Sequence, residues 1–308
     1  MPTSLFTHPS CLRHENGPGH PESPERLKAI LAELDKPDYA ALQRREAPAA
    51  TLDQIARVHD RTYAEDILSL VPKQGYAPLD SDTALSPHSG EAALRAAGAA
   101  CAAVNEVMAG KATNAFCAVR PPGHHAEHAT AMGFCFFNNI AIAAAHAMAA
   151  HGVKRVALLD FDVHHGNGTQ EWAEGQDGVL FCSSHEFPLY PGTGHPQEKG
   201  PKGNILNIAL PHHTDGAGFR RAMQESALPA ISRFAPELIL ISAGFDAHRA
   251  DPLANLRLVE EDFGWITAEL CALAQKFCKG RIVSTLEGGY DIDALARSVG
   301  AHVRALMA

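Results

Sequence analysis

Short, largely apolar runs alternate along the chain with longer alanine-rich or amphipathic stretches. The runs at 115–119, 156–161, 179–182, 205–209, 238–242 and 281–286 have strand length and β-branched character, as expected of strands buried on both faces. The stretches at 24–34, 89–108, 139–150, 219–234, 260–277 and 292–307 predict helices. Ser23 stands at the N-cap of the first helix with Pro24 inside it, Gly110 and Gly152 follow the next two, and Pro229 should bend or interrupt the fourth. Strands alternating with helices predict an α/β fold built on a mostly parallel sheet covered on both faces. No linker, repeat or low-complexity segment divides the chain, so one domain over 1–308 is expected.

Composition narrows this only slightly. Hydrophobic residues make up 46% of the 308, enough for a sizeable core. The net charge of -9 argues against a nucleic-acid partner, whose binding surfaces carry basic excess. None of the seven cysteines forms a C-x-x-C pair, and several sit in apolar runs, which suits reduced core thiols. The start lacks the basic and apolar signature of a signal peptide, and the stretch 140–150 is too short for a membrane span. A cytoplasmic protein without membrane attachment is expected. The loops at 73–87 and 195–204 are long enough to cover a neighbouring copy or a site rim, so a homo-oligomer is compatible with the sequence.

Chemistry collects where four strands end. The run 115–119 leads to His124 and His125, and 156–161 leads into D-F-D-V-H-H-G-N-G. The run 238–242 leads to A-G-F-D-A-H, and 281–286 leads to E-G-G-Y-D. Ligands of open α/β sheets bind outside the carboxyl ends of the strands, so one shared site is expected. Asp160, Asp162 and His164 alternate and in extended backbone face one way. With Asp246 from another strand, Asp162 and His164 offer an oxygen–nitrogen–oxygen set that suits zinc with a position left for water. Ferrous iron, cobalt and manganese accept the same donors. A lone Asp or His after a strand is more often a cap or turn residue; Asp82, Asp215 and Asp251 are read as structural, and His212 and His213, after a proline, as surface loop residues.

R-P-P-G-H-H-A, G-F-C-F-F-N-N, D-F-D-V-H-H-G-N-G-T-Q, Y-P-G-T-G, G-F-D-A-H-R-A-D-P-L and E-G-G-Y, in this order, resemble the zinc-dependent histone deacetylase family. G-H-P-E-S-P-E-R and L-D-S-D-T extend the resemblance over nearly the whole chain, and Asn167, Phe245 and Glu287 look like the class II branch and its bacterial relatives. The resemblance implies the arginase–deacetylase fold, a central parallel sheet of about eight strands flanked by helices.

It also implies roles. Asp162, His164 and Asp246 would hold Zn2+; His125 would be the general base, and His124, bonded to Asp160, an electrostatic partner. Asn167 stands where class I enzymes carry Asp, which should separate the two histidine pKa values. Tyr290 would donate to the developing oxyanion. Phe134 and Tyr190 would wall an acyl-lysine tunnel, with Gly133 on its floor and Leu253 near its rim. A potassium ion would use Asp160, the carbonyls of Asp162, His164 and Ser184, and the Ser183 hydroxyl. The substrate implied is an acyl-lysine or other acylated amine. An acetylpolyamine amidohydrolase is the nearest alternative; apolar Leu253, where an acidic gatekeeper would favour a polyamine, argues against it. A non-catalytic acyl-lysine-binding module would lack a ligand, a dyad histidine or the tyrosine, and none is missing.

Overall fold

The computed structural model describes residues 2–308. In chain order its elements are β1 (Thr3–Thr7), α1 (Pro24–Leu34), β2 (Gln43–Glu46), α2 (Leu52–Ile55), α3 (Arg61–Ser69), the short pair β3 (Ala77–Pro78) and β4 (Ala84–Leu85), and α4 (Ser89–Met108). Then come β5 (Asn114–Cys117), α5 (Asn139–His151), β6 (Val156–Asp160), α6 (Asn167–Glu174), β7 (Val179–Glu186) and β8 (Ile205–Leu210). The chain ends with α7 (Gly216–Ala222), α8 (Leu228–Phe234), β9 (Leu238–Ala243), α9 (Glu260–Cys278), β10 (Ile282–Leu286) and α10 (Ile292–Met307).

Eight strands form one sheet in the order β2-β1-β5-β10-β9-β6-β7-β8, and every pairing in it is parallel. Every residue of β5, β6, β9 and β10 is buried, as a sheet covered on both faces requires. Helices α4, α5 and α6 cover one face; α1, α9 and α10, with α7 and α8 beside them, cover the other. The four strands whose ends carry the chemistry are consecutive neighbours, β5-β10-β9-β6, so their C-terminal loops converge above the middle of the sheet.

Three local details add to these expectations. Ser23 occupies the N-cap of α1 but makes no side-chain cap bond. The helix expected over 219–234 is interrupted, as Pro229 predicts, by a π-helical turn at Met223–Ala227 that ends two residues before that proline, which has no N–H to donate. The chain between 73 and 87 is not simply loop, since it contains the β3–β4 pair. No helix among the described residues is long and apolar enough to cross a membrane.

Candidate active site

β6 ends at Asp160, and side chain–backbone bonds carry its alternation onward. Asp162 N–H donates to Asp160 Oδ1 at 3.1 Å and His164 N–H to Asp162 Oδ1 at 2.9 Å. Val163 N–H donates to Asp246 Oδ1 at 2.8 Å, which joins the ends of β6 and β9. His164 Nδ1 consequently lies 3.2 Å from Asp162 Oδ1 and 3.1 Å from Asp246 Oδ2. The three donor atoms fall within 4.8 Å of one another, and all three residues are buried. Gly288 makes this crowding feasible: a Cβ there would meet Asp162 Oδ2 at 2.6 Å and Asp246 Oδ2 closer still.

Two buried carboxylates this close repel. Burial and the charge of Asp162 push Asp246 up to about 7. Burial opposes ionisation of Asp162 too, but the charge of His124 and the bonds from His164 hold it below the usual carboxylate range. Burial would lower His164, yet its hydrogen bonds to Asp162 and Asp246 raise it to about 10. One Nδ1 proton cannot serve both carboxylates well, whereas a cation at their centre is matched by all three donors. The donor set therefore fits a divalent metal, and its mixed imidazole and carboxylate chemistry fits zinc.

His124 and His125 leave the end of β5 side by side, with ring centroids 4.0 Å apart. His124 Nδ1 donates to Asp160 Oδ2 at 2.9 Å. Burial would lower this imidazole, but the charges of Asp162 and Asp160 outweigh it and raise it to about 10. His125 Nδ1 lies 2.8 Å from Asn167 Oδ1. The amide orientation follows from its other end, since Asn167 Nδ2 donates to Glu127 Oε1 at 2.8 Å. His125 therefore carries its proton on Nδ1 and keeps Nε2 as an acceptor. Burial and the charges of His124 and His164 hold it well below the usual imidazole range.

Tyr290 follows β10 on a loop tethered at almost every polar backbone atom. Glu287 N–H donates to the Ala243 carbonyl, Gly288 N–H to Asp162 Oδ2 at 2.8 Å, and Tyr290 N–H to Asp251 Oδ2 at 2.7 Å. Buried Arg26 donates to the Gly289 and Glu287 carbonyls, and its guanidinium lies 4.9 Å from the Tyr290 ring centroid. The glycines before Tyr290 thus serve close approach. Burial keeps the phenol well above its usual pKa, so it remains a proton-bearing donor.

A cavity of about 240 Å³ opens over this floor, lined by His125, Gly133, Phe134, His164, Tyr190, Leu253, Tyr290 and Asp82. Phe134 is held at φ 69°, an uncommon conformation for a side chain of this size, and its N–H donates to Thr83 Oγ1. The strain aims its ring across the cavity, edge to face with Tyr290 at 5.9 Å. Gly133 leaves no room for a side chain, because a Cβ would lie 2.5 Å from His125 Cδ2. Tyr190 and Leu253 are among the few large apolar residues left exposed, at 40% and 37%.

Several residues here escaped the sequence reading as working parts. Asp82, read as structural, lines the cavity. Asp251, read the same way, is buried and anchors Tyr290. Glu287 accepts from the N–H groups of Gly123 and His124 and from the Ser242 hydroxyl, which holds the histidine loop. Glu22 pairs with Arg26 and Arg120 beneath the tyrosine loop. By contrast His212, paired with Glu186, lies at the surface as expected, and Asp215 caps α7.

A parallel α/β sheet whose central strand ends carry a histidine pair, a three-donor metal cradle and a tyrosine defines a metal-dependent hydrolase type of site. Residues 20–306 match the histone deacetylase domain family. The chain belongs to that family. It is 41% identical to a histone deacetylase-like amidohydrolase of Pseudomonas aeruginosa, covering 94% of this chain and 82% of the relative. A probable deacetylase of Archaeoglobus fulgidus is 38% identical, covering 100% and 87%. The crystal structure of the HDA15 HD domain superposes with a TM-score of 0.93 at 34% identity, over 99% of this chain and 88% of that one. The fold is accordingly the histone deacetylase, or arginase–deacetylase, fold.

Proposed function

We propose that the chain is a zinc-dependent amidohydrolase that removes acetyl or another short acyl group from the side-chain amine of lysine. The carrying observation is that Asp162, His164 and Asp246 converge at the floor of a narrow aromatic cavity beside His125 and Tyr290. Zinc held by these three residues would polarise the substrate carbonyl and acidify a water molecule.

The chain's own residues supply the rest. Phe134 and Tyr190 hold the aliphatic stem, Gly133 lets it approach His125, and Leu253 borders the rim. His125 Nε2, unprotonated in the resting site, takes the proton of the attacking water and returns one to the leaving amine. His124, cationic against Asp160, stays charged and steadies the negative charge developing nearby. The Tyr290 hydroxyl donates to the carbonyl oxygen as it becomes an oxyanion, a contribution of roughly 3 kcal/mol.

A potassium ion at Asp160 and Ser183 suits the site's charge. Asp160 is fully buried, and among the described residues the carbonyls of Asp162 and His164 accept no hydrogen bond. The seven free cysteines suit the reducing interior of a cell. The test is hydrolysis of an acetyl-lysine coumarin substrate by purified protein, abolished by chelator and slowed by roughly 100- to 1000-fold in Tyr290→Phe. No turnover with any acyl-lysine would overturn the reading.

One observation favours a second reading, an acylated small polyamine as substrate. The half-buried Asp82 carboxylate lines the same cavity as Leu253, so the cavity does carry an acidic group. Rates on acetylputrescine and on an acetylated peptide, measured side by side, discriminate the two.

A further inference from the structure

Asp251 donates nothing to the metal cradle and touches neither dyad histidine, yet its carboxylate is buried and forms no ion pair among the described residues. Such a group persists only where its hydrogen bonds matter. Oδ2 accepts from Tyr290 N–H at 2.7 Å and Oδ1 from Leu253 N–H at 2.9 Å. The Asp251 N–H is itself fixed on the His248 carbonyl at 2.9 Å. One rigidly held carboxylate therefore joins two loops that line the same cavity, one bearing Tyr290 and the other bearing rim residue Leu253.

The remaining tethers of the tyrosine loop act on residues 287–289, through Arg26, Asp162 and the backbone of 243 and 245. Among the described residues, Asp251 alone accepts from the backbone N–H of Tyr290. A shift in that bond rotates the residue whose hydroxyl must meet the substrate oxygen, while leaving the three metal donors in place. We infer that Asp251 is a positioning residue, which sets the Tyr290 hydroxyl against the acyl carbonyl and couples that donor to the rim at Leu253. The inference rests on Tyr290 being the oxyanion donor proposed above.

Asp251→Asn is nearly isosteric, but an amide presents one acceptor oxygen, so its NH2 must face one of the two N–H groups. The expected result is a fall in kcat of about 10- to 100-fold, as for a misplacement approaching 1 Å, with KM changed by less than about threefold. Because Asp251 acts through Tyr290, adding Asp251→Asn to Tyr290→Phe should slow the enzyme no further. Additive losses would overturn the inference, as would a loss confined to KM.

Amide exchange followed by mass spectrometry gives a readout independent of activity. Segments 250–256 and 287–291 should exchange faster together in Asp251→Asn, with β5 and β6 unchanged. Acceleration of one segment alone, or of neither, would overturn the coupling. This arm decides even if the wild-type protein hydrolyses no acyl amine, an outcome that would refute the proposed function instead. Should Asp251→Asn lose its cooperative melt, Asp251→Glu displaces the same two bonds with the charge kept and carries the same test.

Discussion

Replacing Gly288 by alanine should remove metal binding while leaving the fold intact. The added methyl would sit between two of the three donors, 2.6 Å from Asp162 Oδ2 and nearer to Asp246 Oδ2. A comfortable carbon–oxygen contact is roughly 3.3 Å, so Asp162 must recede by roughly 0.7 Å and Asp246 by more. The loop cannot retreat instead, because Gly288 N–H is bonded to Asp162 at 2.8 Å and its carbonyl accepts from Phe245 N–H at 3.0 Å. Metal–ligand distances tolerate only about 0.2 Å, so one donor is lost and affinity should fall by at least about 100-fold. Gly288 does not occupy the left-handed region, so collision and not backbone strain is the cause. The assay is zinc titration of metal-free protein against a chromophoric chelator, with circular dichroism and melting to check the fold. Gly264→Ala on α9 is the control: its Cβ would meet Ala301 at an ordinary 3.6 Å, and helix propensity should stabilise it by about 0.5–1 kcal/mol. Zinc affinity of Gly288→Ala within about threefold of wild type would refute the reasoning.

Two further outcomes are expected. His302 is fully buried between Thr267 and Ser284, and burial lowers it from 6.5 to about 3. The unfolded chain then binds the extra proton, so this stability is present above pH 6.5 and lost as pH falls toward 3, by about 1.4 kcal/mol per pH unit. Urea unfolding at pH 6 and pH 5 should show a shallower decline in His302→Gln; an unchanged slope would refute the assignment. Asp82→Asn should reduce kcat/KM for a cationic acylated amine relative to a neutral one by about 2- to 5-fold, an effect that added salt diminishes. Equal losses on both substrates would deny Asp82 any part in charge selection.

What the sequence disclosed depended on how local the cause was. β5, β6, β9 and β10 could be read because strands buried on both faces carry continuous apolar runs, and their polar ends followed in sequence. β2 could not, since Q-R-R-E at the sheet edge alternates half-exposed and exposed residues. The three candidate metal donors lie close together in sequence or at an obvious strand end. The supports do not: Asp251 and Tyr290 are 39 residues apart, and Arg26 and Gly289 are separated by 263. The left-handed Phe134 was equally hidden, because only the packing around Thr83 and the cavity requires it.

The protonation of the metal cradle has a consequence that can be measured without substrate. In the metal-free site at pH 7 the two carboxylates keep His164 protonated, and burial beside Asp162 leaves Asp246 partly protonated. A cation occupying that centre needs the His164 Nδ1 lone pair and an ionised Asp246. Zinc binding should therefore release between about one and two protons from these ligands at pH 7. At pH 8.5 Asp246 is already ionised, so the release from the ligands should fall toward about one. Calorimetric titrations in buffers of different ionisation enthalpy count the protons released in total, to which any proton lost by a water on the zinc adds. In Asp246→Asn the carboxylate contribution disappears, and the release from His164 should shrink as well, because Asp246 is one of the two groups that raise it. A proton count near zero at pH 7 with wild-type protein would mean that His164 is already neutral, and the charge balance argued for the cradle would be wrong.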